Sequence, residues 1–89
     1  MNLDTKLTIP PQVMSRMVGD ETVLLDLSSG VYFGVDGVAK VIWESVADGK
    51  SLGEAAAEIA AEFEVDEATA QADVVAFVSD LIERGLLLQ

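Results

Sequence analysis

The chain contains no cysteine and no histidine. Without cysteine there is no disulfide framework and no thiolate metal site. Without histidine the usual general base near neutral pH is missing, and so is the commonest transition-metal ligand. Cations are scarce: 5 Lys and Arg stand against 16 Asp and Glu, a net charge of −11. The five, Lys6, Arg16, Lys40, Lys50 and Arg84, are scattered. Nucleic acid demands clustered cations to neutralise phosphates, so no nucleic-acid partner is expected. No apolar run reaches the roughly 18 residues a membrane span needs. The N-terminal MNLDTKLTIPP lacks a basic region followed by an apolar one, so no signal peptide is expected and the default compartment is the cytoplasm.

What is present is an apolar chain of modest size. Its 89 residues are 51% hydrophobic with a mean hydropathy of +0.38, which argues for one folded domain rather than disorder. Residues 1–11 read as an arm in which Leu3, Leu7 and Ile9 lie along the body, with Pro10-Pro11 preventing a helix. Residues 12–89 form the domain.

Gln12–Val18 reads as a first strand, Gly19-Asp20 as a turn, and Glu21–Leu27 as a second strand. On the second, Val23, Leu25 and Leu27 share one face; Leu24 and Asp26 share the other. Ser28-Ser29-Gly30 is a hairpin loop. Val31–Val35 is a third strand, with Val31, Phe33 and Val35 opposite Tyr32 and Gly34. Three helices follow. Asp36 is placed to cap the first, which runs to about Ala47, with Val38, Val41, Ile42, Ser45 and Val46 as its apolar stripe and Trp43 to one side. Ser51 and Glu54 have capping-box spacing for a second helix over Leu52–Phe63. Asp66 caps a third, from Glu67 to Arg84, whose buried stripe is Val74, Phe77, Val78, Leu81 and Ile82. Gly85 ends it, and Leu86-Leu87 fold back on the core. The fold class is α+β: a three-stranded antiparallel meander followed by three helices, packed in a winged-helix-like arrangement.

Little in this pattern carries chemistry. Glu54 with Glu58, and the group Glu62, Glu64, Asp66 and Glu67, fall on polar helix faces and near helix N-termini, where the helix dipole favours carboxylates. They lack the spacing of a calcium loop. The serines have no histidine and no G-x-S-x-G elbow. G-V-D-G and G-V-Y-F-G match neither phosphate-loop nor dinucleotide spacing. No enzyme activity, no metal and no cofactor are expected. Ser51 at a helix start fits the capping box better than the modified serine of a carrier protein.

The edge of the third strand stands out. Exposed strand edges are ordinarily blunted by charge, proline or a covering element. Val31–Val35 carries neither charge nor proline. Either the third helix covers it, or it accepts an added strand from a peptide whose side chains enter a groove against that helix. Such an edge also permits a homodimer by edge pairing.

The string VLLDLSSGVYFGVDGVAKVIWE resembles PqqD-type proteins: a strand ending in Leu-Asp, a glycine turn, an aromatic pair, a helix cap and a helix containing Ile-Trp. ADVVAFVSDLIERGLL resembles the same family's ending, and the resemblance spans roughly residues 12–88. Asp36 stands where many members carry asparagine; both residues cap helices. The family is the precursor-peptide recognition element of ribosomally made, modified peptides. The resemblance implies a winged helix that binds a leader peptide as an added strand beside the third strand, in a groove closed by the third helix. It implies backbone pairing at Val31, Tyr32, Phe33, Gly34 and Val35, with contacts from Asp73, Val74, Phe77, Asp80, Leu81 and Arg84. The implied partners are the leader of a precursor peptide together with a processing protease and cyclase of lasso-peptide synthesis. The alternative partner is a radical S-adenosylmethionine enzyme of pyrroloquinoline quinone synthesis. D-V-x-A-F-x-x-x-L and D-L-x-x-G-x-Y-F-G stand closer to the lasso type. A different class, an acidic winged-helix regulatory or dimerisation module, would use residues 67–84 as a recognition helix, yet Arg84 is the one cation there.

Overall fold

The β-hairpin turns set the sheet. The computed structural model describes every residue, Met1–Gln89. Strands β1 (Val13–Val18), β2 (Glu21–Asp26) and β3 (Val31–Val35) form an antiparallel sheet in the order β1-β2-β3. In the second turn the Asp26 carboxylate accepts from Ser28 N–H at 2.9 Å, and its carbonyl accepts from Gly30 N–H at 2.8 Å. Gly30 has φ +73°, a conformation that strains residues with a Cβ. This turn fixes the register Asp26–Val31, Leu24–Phe33 and Thr22–Val35.

Because side chains alternate along strands, the register sorts the sheet into two faces. Leu24, Thr22, Val35 and Val13 are buried on the inner face, where Phe33 is half-buried. Met14, Leu25 and Tyr32 form one row of the outer face; Arg16, Val23 and Gly34 form the next. Helices cover only one side of the sheet, so this apolar outer face meets solvent, with Met14 and Val18 exposed.

Helix α1 (Gly37–Ala47) then packs on β2 at the inner face, α2 (Leu52–Phe63) packs on α1, and α3 (Glu67–Glu83) packs on α2. The winged-helix-like α+β arrangement is as expected. Ser51 and Glu54 form the complete capping box on α2, and the Asp66 side chain accepts from Thr69 N–H at 2.8 Å at the start of α3. Both carboxylates titrate below the ordinary range because these backbone and hydroxyl donors stabilise the charged form.

Two local expectations need correction. Asp36 occupies the N-cap position of α1, but its side chain makes no capping hydrogen bond. One residue separates β3 from α1, and the chain turns through Gly37 at φ +55° instead. The first turn closes through Lys40 N–H to the Asp36 carbonyl at 3.3 Å. Trp43 is also central rather than lateral: it is 1% exposed, while Val38 and Val41 are only partly buried.

The core joins Leu24, Ile42, Trp43, Leu52, Ile59, Val74, Val78, Leu86 and Leu87. Across the α1–α2 contact, the buried Ser45 hydroxyl donates to Glu58 Oε2 at 2.7 Å, and Lys50 pairs with Glu58 Oε1. The N-terminal arm is tied down by its backbone. Leu3 and Thr5 carbonyls accept from Gly53 and Leu52 N–H, donors that the first turn of α2 leaves unpaired. Thr8 pairs with Leu88 through two bonds of 2.8 Å.

Candidate functional site

The sheet has two edges, and they differ in chemistry. β1 carries Arg16 at mid-strand, a charge that discourages further pairing. β3 is VYFGV, with no charge and no proline, and no strand pairs with its outer side. α3 does not cover it: Val31 and Tyr32 are 48% and 72% exposed. Gly34 is exposed, Phe33 half-buried and Val35 buried. Every other backbone N–H and C=O along this strand is therefore left for an outside partner.

The C-terminal end of α3 reaches this strand. Arg84, the C-cap residue, places its guanidinium carbon 5.3 Å from the centroid of the Phe33 ring. Its Nε donates to Asp80 Oδ2 at 3.0 Å, one turn back on the helix. Arg84, Asp80 and Phe33 thus make one contiguous surface. A cation at this end of a helix is also favoured by the helix dipole.

The other α3 candidates divide. Phe77 packs half-buried against the core, keeping part of its surface open on the same flank as Asp80 and Arg84. Asp73 is exposed about 16 Å further up the helix, by its 1.5 Å rise per residue. Val74 and Leu81 are core residues, 0% and 4% exposed, whose packing holds α3 in place and presents no surface to a ligand.

The measurable concavities lie elsewhere. One of about 430 Å³ sits on the outer sheet face between Met14, Val18, Val23 and Leu25. Another of about 310 Å³ lies between β1 and α1, lined by Met17, Thr22, Trp43 and Glu44. Thr22 Oγ1 and Trp43 Nε1 are buried there without a hydrogen-bond partner. Neither includes β3 or α3. A strand-accepting edge is a row of backbone groups, and concavity is not its mark.

Sequence reading missed Glu21. Its side chain lies over Gly34, so that a methyl group on Gly34 would stand 2.7 Å from Glu21 Oε1. A glycine inside a strand was the available signal, since it marks a bulge or a close approach. For chemistry the site offers little: no three Asp or Glu residues are grouped as a metal would need. What it offers is an unpaired edge, three aromatic rings and a cation.

The chain is similar to a known family and to two solved structures. The family of coenzyme PQQ synthesis protein D (PqqD) matches residues 21–87. Two solved structures are similar. One is TbiB1 in complex with the TbiA(beta) leader peptide, 38% identical over 93% of this chain and 94% of that one, with a TM-score of 0.84. The other is lasso peptide synthetase B1 complexed with the leader peptide, 29% identical over 96% and 100%, with a TM-score of 0.88. No curated protein matches the chain.

Proposed function

The chain belongs to the PqqD family, and from that premise we propose that it is a non-catalytic adaptor that binds the leader of a ribosomally made precursor peptide. The leader adds as a fourth strand beside β3, and the adaptor presents the precursor to the protease and cyclase of lasso-peptide synthesis. The observation that carries this reading is the uncharged, unpaired edge of β3 with Arg84 of α3 reaching over its Phe33. Similarity to two proteins each bound to a leader peptide supports it, and one of them, a lasso peptide synthetase B1, favours the lasso type over delivery to a radical S-adenosylmethionine enzyme.

Binding divides into two parts. Main-chain bonds along Val31–Val35 set register, each netting only about 1 kcal/mol. Apolar side chains of the leader against Phe33 and Phe77 supply most of the affinity, at roughly 25 cal/mol per Å² buried. Once held, the precursor's remaining segment is confined near the enzyme at an effective concentration of about the millimolar range for a short linker. No helix is long and apolar enough to cross a membrane, and the proposed place of work is the cytoplasm, where precursor peptides are made. A homodimer formed by pairing two β3 edges would occupy the same slot, so dimerisation and leader binding exclude each other.

The test is a titration of the isotope-labelled chain with the synthetic TbiA(beta) leader, and with the leader of any short precursor encoded beside its own gene. Amide shifts are expected at Val31–Val35 and along the flank from Asp73 to Arg84. Binding that leaves both segments unmoved would refute the docking mode.

A further inference from the structure

Gly34 does not owe its place to backbone conformation. It is absent from the glycines with positive φ, and an ordinary strand residue would fit its backbone. What its missing side chain permits is the approach of Glu21. The distances from a Gly34 methyl position to Glu21 Oε1, Cδ and Oε2 are 2.7, 2.8 and 3.0 Å. The carboxylate therefore rests across β3 on the outer face, brought from β2 to the strand at the sheet's open edge. It forms no salt bridge; the chain's ion pairs are Lys50–Glu58 and Arg84–Asp80.

A strand added beside β3 sets one residue opposite Gly34. Its Cβ lies about 4.5–5.5 Å from the position a Gly34 Cβ would occupy, and its side chain points to the same face whichever way the strand runs. That side chain emerges next to the Glu21 carboxylate. Tyr32, two residues along β3 on the same face and 72% exposed, flanks it. A Lys or Arg there meets an unpaired carboxylate and an open aromatic face, the two groups that attract a cation. An Asp or Glu there meets like charge, on a chain of net charge −11.

We propose that Glu21 is a specificity-determining residue: the leader carries Lys or Arg at the position opposite Gly34, and Glu21, lying in the gap that Gly34 leaves, selects it. This rests on strand addition at β3. The groove side of the added strand reads apolar anchors, and its outer side reads charge.

Selection of short random-sequence peptides on the immobilised chain tests the assignment. Wild-type protein should enrich Lys or Arg at one fixed position relative to the apolar anchors, and E21K should enrich Asp or Glu there. Synthetic peptides differing only by Lys or Glu at that position should differ about 3-fold in Kd at low salt, the scale of an exposed ion pair. E21Q should remove most of the difference, and high salt should shrink it. If selected peptides shift the Val31–Val35 amides but no charge is enriched, or E21Q keeps the full discrimination, the assignment is wrong while strand addition stands. Selected peptides that leave those amides unmoved would overturn strand addition and the assignment with it.

Discussion

Arg84 and Phe33 meet across the gap between α3 and β3, the guanidinium carbon 5.3 Å from the ring centroid. Asp80 holds the arginine there through a 3.0 Å bond. The contact joins two elements that a bound leader would lie between, and it sits over a half-buried ring that a leader side chain would touch.

Replacing Arg84 should therefore act on binding more than on folding. Arg84→Ala should cost stability no more than the roughly 0.5–1 kcal/mol of an exposed cation–π contact, and by removing a side chain that borders the β3 edge it should weaken leader binding about 2- to 5-fold by calorimetry, the scale of one exposed polar contact. Arg84→Glu should weaken it further by repelling Asp80. Phe77→Ala should weaken binding by removing an aromatic wall. Because Phe77 is only partly buried, its stability loss should fall below the roughly 3–5 kcal/mol typical of core Phe→Ala changes.

Glu58 should contribute an acid-sensitive share of stability. Lys50, then Ser45, hold its carboxyl below the ordinary range by hydrogen bonding the charged form. A lowered folded pKa stabilises the fold above the ordinary glutamate pKa, and that share is lost as pH falls through the folded value. The gap in Tm between wild type and Glu58→Gln should be full near neutral pH and close below about pH 4. Ser45→Ala should cost about 1–2 kcal/mol in urea unfolding, since the hydroxyl is buried against a charged acceptor.

Glu64, the C-cap of α2, has φ +54° and is the one non-glycine residue with positive φ. Left-handed backbone costs residues with a Cβ roughly 1–2 kcal/mol. Glu64→Gly should raise stability by up to about 1 kcal/mol, read as a higher urea midpoint with unchanged slope.

Trp43 presents opposing terms. It fills the core, yet no protein group accepts from its buried Nε1–H. An unsatisfied buried donor costs about 1–3 kcal/mol. Trp43→Phe removes volume and that orphan together, so its net loss should stay near 1 kcal/mol, and Trp43→Ala should lose several times more.

The features readable in the sequence are those written within a few residues. Ser51 with Glu54, Asp66 before α3, and the Ser28–Gly30 turn each bond to groups four residues away or less, so spacing alone exposes them. Strand alternation likewise separated Phe33 from Tyr32. What escaped was set by register between distant segments. Glu21 reaches Gly34 only because β2 and β3 pair as they do, and Ser45 meets Glu58 only because α1 crosses α2. Trp43 became central because the sheet covers the side of α1 that helical period alone left lateral. At Gly37, a Val35–Val38 connection too short for a free cap demanded a left-handed residue, and the Asp-Gly pair concealed that demand behind a good capping residue.

The Thr8–Leu88 pairing gives the molecule the topology of a nearly closed ring. Two segments that stand eighty positions apart by residue number lie side by side, so that residues 8–88 make one loop of backbone closed by hydrogen bonds. Trimming Leu88 and Gln89 should therefore loosen the arm that holds the first turn of α2, an effect carried across eighty positions by two hydrogen bonds.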